Sequence, residues 1–214
     1  MEITAPALWI NQAFAGFDES ITTAVHKLYE LAGPFFTPFF EGVSLLGKGG
    51  IFLILLSAAL LFHRPTRCFG TAMLLGLAIG VVITNVFLKV WIARPRPYAD
   101  EASIFRQYWL TVGQNVESDY SFPSGHTTAA FDSMTPVFLL GKKRLRILAV
   151  CFAVLMGIAR IYLCVHFPSD VLGGMFVGIF AGCIATLIAK KLPRKWYAWQ
   201  LPEKKQTGKH ELVK

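Results

Sequence analysis

The feature that most constrains this chain is the alternation of long apolar runs with short basic or Gly/Pro-containing breaks. Runs at about 49–62, 71–93, 123–140, 147–165 and 171–188 are nearly free of charge. Backbone in lipid must satisfy its own hydrogen bonds, and about 20 apolar residues cross a bilayer as a helix. The expectation is an all-α, polytopic membrane helical bundle with five clear transmembrane helices. The apolar core of the first, Ile51 to Phe62, is short and must borrow flanking residues. Composition agrees: 54% of residues are hydrophobic and 16% charged, against about 25% charged in a soluble domain.

The segment before residue 49 is more polar. Ile21, Val25, Leu28 and Leu31 recur at helical spacing with Glu19, Lys27 and Glu30 among them. That pattern suits an interfacial amphipathic helix, capped by Asp18 or Ser20 and stopped at Gly33-Pro34. Residues 35–46 are apolar but broken by Pro38 and Glu41, as in a short or broken sixth helix. Three regions follow: 1–48 interfacial or broken, 49–192 a membrane-embedded core, and 193–214 a basic tail. That tail, with Trp196, Tyr197 and Trp199 as interfacial anchors, is expected to be disordered from Lys204.

The net charge is +8. Its cations sit in short runs between apolar segments, which excludes a nucleic-acid surface and fits the positive-inside rule. With alternating spans, His63 to Arg67, Lys142 to Arg146 and Lys190 to Lys195 fall on one side, the cytoplasm, together with the C-terminus. The connections 94–122 and 166–170 then face the exterior. Cys68, Cys151, Cys164 and Cys183 lack metal-ligand spacing and read as free thiols. No cleavable leader is expected, since Glu2 replaces a basic start.

Three polar patches sit at the ends of these runs, and the orientation rule puts all three on the same face. The first is Lys89 with Arg94-Pro95-Arg96-Pro97. The prolines end the helix near Ala93, so Arg96 or Arg94 reaches back over it toward Lys89. The second is Pro123-Ser124-Gly125-His126, where a glycine and the free N–H groups of a helix start form an anion site. The third is Arg160, His166 and Asp170. Arginine inside an apolar helix is expensive. Asp170, in the first turn of a helix starting at Pro168, can orient the His166 imidazole. Asp132 lies six residues beyond His126, about 240° around the helix, and is expected to face away in a structural pairing. Asn85, one turn before Lys89, fits a hydrogen bond to it or plain packing. His26 and His63 read as solvated or interfacial.

Lys89 to Arg96-Pro97, Pro123 to His126, and Ala159-Arg160 to His166 to Asp170 together resemble the type 2 phosphatidic acid phosphatase family. That family of integral membrane lipid phosphatases shows K-x6-R-P, P-S-G-H and S-R-x5-H-x3-D. Ala159 stands where serine is usual. The resemblance spans residues 89–170. It implies that His166 attacks phosphorus, Asp170 orients it, and His126 serves as acid and then base. It makes Lys89, Arg96, Ser124, Gly125 and Arg160 the phosphate cradle and prefers Arg96 to Arg94. No carboxylate cluster suited to magnesium accompanies the patches, so neither metal nor cofactor is expected. The partners implied are a lipid phosphate or diphosphate and the bilayer. The substrates in view are undecaprenyl diphosphate, phosphatidylglycerol phosphate and phosphatidate, met at the outer leaflet. Two other readings are a lipid transporter or scramblase with a non-catalytic patch, and a vanadate-dependent peroxidase sharing the anion cradle. Oligomeric state is not written in the sequence.

Overall fold

The computed structural model describes residues 3–193. Trp196, Tyr197 and Trp199, read above as anchors, lie outside the described residues with most of the basic tail. The fold is helical throughout that range. The helices are α1 (Ala5–Ala32), α2 (Thr37–Gly47), α3 (Ile51–Phe62), α4 (Arg67–Val81) and α5 (Lys89–Ile92). They continue as α6 (Ile104–Thr111), α7 (Gly125–Leu140), α8 (Lys143–Tyr162) and α9 (Pro168–Lys191).

The N-terminal segment differs from the amphipathic helix expected of it. Thr4, not Asp18 or Ser20, caps α1, its hydroxyl accepting from Ala7 N at 3.3 Å. The cap prediction failed because Asp18 lies mid-helix, on the face that α1 buries. That face carries Ala7, Ile10, Asp18, Thr22 and His26. His26 is also buried rather than solvated, stacked on Tyr108 at 3.8 Å. The stop at Gly33 holds, with φ +56° there. Residues 37–47 form the short helix expected, and α2 packs on α8.

Among the described residues, four helical stretches are long and apolar enough to cross a membrane: Ala5–Phe62, Arg64–Ala99, Lys143–Tyr162 and Pro168–Lys191. They include four of the five runs read as spans. The fifth, α7, has 16 residues and carries Thr127, Thr128, Asp132, Ser133 and Thr135. Those polar residues are tolerated because α7 packs against α4, α8 and α9. The outside of the bundle is apolar instead, with Leu55, Phe62, Phe87, Trp91, Phe176 and Leu187 exposed.

Glycines set how closely α7 is gripped. A Cβ on Gly76 would lie 2.8 Å from Asp132 O, and on Gly178 2.7 Å from Thr128 O. Gly174 and Gly182 press on α7 in the same way. Small residues four apart let helix backbones approach where lipid offers no hydrophobic drive. Between α4 and α5, residues Val82–Leu88 form a π-helical turn. Such turns shift side-chain register and are frequent at functional sites. Here the shift falls just before Lys89.

The glycine packing predicts that Gly178→Val destabilises the bundle by about 1–3 kcal/mol through overpacking. Gly16→Ala, where nothing lies within 4 Å, is neutral to slightly stabilising. Thermal midpoints of the two variants in detergent check this.

Candidate active site

Helix ends and their flanking loops bring the three patches together. α5 ends at Ile92, and Ala93 takes φ +50°. That turn sends Arg94 and Arg96 to opposite destinations. Arg94 is buried on the α1 and α9 side. Its Nε donates to Asn11 Oδ1 at 2.7 Å, NH2 to Asp18 Oδ2 at 2.9 Å and NH1 to Asp170 Oδ1 at 2.6 Å. Its guanidinium also lies 3.9 Å from the centroid of the Phe167 ring. Arg96 instead turns to His166, NH1 donating to Nε2 at 2.9 Å and to Val165 O at 2.7 Å. The two arginines are therefore not alternatives for one role.

Arg96 can only donate, so Nε2 of His166 accepts and Nδ1 carries the ring proton. Nδ1 faces Asp170 Oδ2 at 3.5 Å. Asp170 sits in the first turn of α9 and is fully buried. Its Oδ2 accepts from Ser121 Oγ at 2.5 Å and from Phe167 N at 2.8 Å, besides the Arg94 bond. Burial, and then the charges of Arg96, Arg160 and Lys89, hold the His166 imidazole well below its ordinary pKa. The ring is neutral near pH 7, and its unprotonated Nε2 is held by Arg96.

His166, Arg96, Lys89, Gly125 and His126 line a single cavity of about 640 Å³. The cavity continues between α3, α4 and α7, past Leu77 and Gly80, to Asp132. Arg160 meets His126 on the wall of a neighbouring cavity of about 410 Å³. Lys89 Nζ stands over the α7 N-terminus, 3.9 Å from where a Gly125 Cβ would lie. Asn85 lies beside it at 3.7 Å from the same point.

Seven of the eight residues expected at the site thus surround these cavities or, for Asp170, bond the ring that does. Ser124 is the exception. It caps α7, its hydroxyl accepting from Thr127 N at 3.4 Å and Thr127 Oγ1 at 3.0 Å. Its N–H donates to Asp170 O at 3.0 Å. It holds the α7 and α9 N-termini together and does not line the cavity. Asp132 turns out to line the same cavity as His126 rather than facing away. Its Oδ1 accepts from Ser133 Oγ, while Oδ2 has no partner. Ala159, where serine was expected, is fully buried in the core with Phe40 and Tyr162. A hydroxyl reaches Arg160 from elsewhere, since NH1 donates to Ser44 Oγ of α2.

Sequence reasoning missed several participants. Asp119 bridges Lys89 and Arg96, and Glu117 holds Arg160. Acidity of that loop was visible, but not its pairing with the cations. Burial raises the Asp119 pKa, yet the bonds and charges of Lys89 and Arg96 outweigh it and keep the carboxyl below its usual value. Asp18 was read only as a cap. Its signal was the series Asp18, Thr22, His26, a polar stripe at four-residue spacing that a lipid or solvent face would not need.

The chain is similar to known proteins over most of its length. Residues 69–194 match the family model described as the PAP2 superfamily. Phosphatidylglycerophosphatase B of Bacillus subtilis (strain 168) is 32% identical over 205 residues, 90% of this chain and 92% of that protein. An undecaprenyl-diphosphatase of Sulfolobus acidocaldarius is 29% identical over 65% of this chain and 64% of its own. The crystal structure of a transmembrane PAP2-type phosphatidylglycerolphosphate phosphatase from Bacillus subtilis superposes with TM-score 0.68 at 31% identity. It covers 88% of this chain and 92% of that one.

Gly47, at the end of α2, is a structural dependency of the site. A Cβ there would lie 2.7 Å from His126 Cδ2 and 3.0 Å from Met156 Sδ. Gly47→Ala must therefore displace the imidazole. Misplacement of a reacting group by about 1 Å can cost about 100-fold. The variant is expected to turn over phosphate substrates about 10–100-fold more slowly, with an unchanged thermal midpoint.

Proposed function

Since the chain belongs to the PAP2 superfamily, we propose that it hydrolyses a lipid phosphate or diphosphate through a phosphohistidine on His166. The carrying observation is the imidazole itself: Nε2 aimed into the cation-lined cavity, with its other nitrogen facing Asp170. A transporter or scramblase needs the cations but not a histidine with a fixed tautomer and a second histidine across the cavity.

The reaction follows from these positions. The substrate phosphate displaces the carboxylates of Asp119 and Glu117 from Lys89, Arg96 and Arg160. Those cations then neutralise its non-bridging oxygens, usually a large share of the rate enhancement in phosphoryl transfer. Gly125 N–H, in the first turn of α7, adds a donor. The Nε2 lone pair forms the N–P bond as the P–O bond to the lipid breaks. His126, which takes up a proton as the anionic substrate binds, gives it to the departing oxygen. The imidazole now carries positive charge, and its Nδ1–H faces the Asp170 carboxylate. His126 next takes a proton from water, which attacks phosphorus. The N–P electrons return to Nε2, and inorganic phosphate leaves. Three side-chain cations at the phosphate supply the charge a metal would otherwise bring, so turnover is metal-independent.

The apolar continuation of the cavity between α3 and α4 receives the first part of the lipid chain. The helix ends that carry the site face the exterior, at the outer leaflet. The basic connections 63–67 and 142–146 and the C-terminus are cytoplasmic. In this arrangement α3, α4 with α5, α7, α8 and α9 are five spans, and α2 is a short accessory helix. The substrate class includes phosphatidylglycerol phosphate, undecaprenyl diphosphate and phosphatidate.

Phosphate release from a panel of these lipids by the purified protein in detergent tests the reading. His166→Ala is expected to lower release at least 1,000-fold with the fold intact; tight lipid binding with no release by the wild type would overturn catalysis in favour of transport. EDTA is expected to change the rate less than twofold. Strong inhibition, reversed by magnesium, would sink the metal-independent mechanism.

A further inference from the structure

We infer that Asp18, on the N-terminal helix, is a positioning residue for the phosphoryl transfer. It acts through Arg94 and Asp170 to balance the charge that His166 acquires. This rests on the phosphatase reading above and adds a member to its machinery. Asp18 lies outside residues 69–194, the stretch that matches the family.

The chain of contacts is continuous. Asp18 Oδ2 accepts from Arg94 NH2 at 2.9 Å, and Arg94 NH1 donates to Asp170 Oδ1 at 2.6 Å. Asp170 Oδ2 faces His166 Nδ1 at 3.5 Å. Ser169, the residue before Asp170, also reports to Asp18. Its N–H donates to Oδ1 and its hydroxyl to Oδ2, both at 2.7 Å. Asp18, Arg94, Asp170 and His166 are each at most 2% exposed.

The charges in this chain do not cancel. Asp18 and Asp170 are two carboxylates on one guanidinium, so this side of a neutral His166 carries one negative charge; it is set against the one positive charge left over across the ring, where Lys89 and Arg96 share Asp119. Keeping that charge buried is expensive, and more so inside a membrane bundle. An asparagine or serine at position 18 would still hold Ser169, without that excess. The excess has a purpose at one moment in the cycle. When Nε2 bonds to phosphorus, the ring keeps its Nδ1 proton and becomes positive, and the group of four then sums to zero. Without Asp18 the guanidinium would cancel Asp170 alone and leave the imidazolium unopposed. Asp18 therefore favours the charged phosphohistidine and the transition state leading to it, and it contributes nothing to ground-state phosphate binding.

Steady-state kinetics of three full-length proteins test this: wild type, Asp18→Asn, and the double variant Asp18→Asn with Arg94→Gln. The double variant again leaves one carboxylate in excess. Asp18→Asn is expected to lower kcat about 10–100-fold, the range for outer-shell partners. KM and inhibition by orthovanadate should move less than threefold. Phosphohistidine trapped by alkaline quench should fall in step with kcat. Adding Arg94→Gln is expected to raise kcat at least threefold above the single variant. A scaffold role predicts the reverse, since the second change removes more bonds. An unchanged kcat in Asp18→Asn, or a double variant no faster than the single one, overturns the inference. If Asp18→Asn does not fold, the double variant is compared with wild type. A loss within about thirtyfold supports the inference, and a larger loss overturns it. An inactive wild type would instead fail the phosphatase reading, and it is recognised before any variant is compared.

Discussion

The structure turns on one buried guanidinium. Arg94 is 1% exposed, and it is held from α1 by Asn11 and Asp18 and from α9 by Ser169 and Asp170. Its backbone carbonyl accepts from Ser121 N at 2.8 Å, which ties in the loop before α7. Three separate parts of the chain are thus referenced to one planar group with a fixed donor fork. The carboxylate that His166 faces takes one bond from that fork and two more from Ser121 and Phe167. Arginine suits this place better than lysine would, because only the fork serves four acceptors on two helices at once. Losing one partner would leave a buried charge unpaired, so the interaction is hard to change piecemeal.

Around that hub, the packing of α7 decides where the second histidine stands. Gly174, Gly178 and Gly182 of α9 press on one side, and Gly76 and Gly80 of α4 on the other. Gly47 of α2 bears on the ring of His126 itself. A short helix bearing several hydroxyls and an aspartate would be a poor lipid-facing span. Enclosed by neighbours it becomes a rigid post for the first-turn histidine. Of these glycines, Gly47 and Gly80 also line the cavity that begins at His126 and leave it room.

Much of this was legible in the sequence, for reasons that differ by residue. Apolar runs betray helices because lipid allows few other structures. Helix ends betray themselves through Pro95, Pro97 and Pro168, whose fixed φ fits a first turn or a stop; Pro123 instead precedes the Ser124 cap, and α7 begins at Gly125. The cations and the two histidines stood out because charge and imidazole at the end of an apolar helix are costly unless used. The second layer was hidden. Asp18 and Arg94 are 76 residues apart, and no local periodicity announces a pairing at that distance. Arg94 and Arg96 are two residues apart in a Pro-rich turn, and only the left-handed φ of Ala93 separates them. Asp119 sits in a loop whose net acidity was plain, but whose path back over Lys89 depends on α6 docking through Trp109, which stacks on Tyr98.

The same division explains why the reaction is easier to read than the lipid. Chemistry at a phosphate needs particular atoms at particular places, and those atoms belong to residue types that stand out in an apolar chain. Holding a lipid chain needs width and an absence of polar groups. The lower cavity meets that need with Gly50, Ile54, Leu77, Ala78 and Val81, which are indistinguishable in sequence from any helix interior. One residue breaks that anonymity. Asp132 puts an unpartnered carboxyl oxygen on the cavity wall, against Gly80. Six residues below His126 it stands about 9 Å deeper along α7. At that depth the wall offers something other than hydrocarbon, so the cavity is graded in polarity from the cation cradle downward.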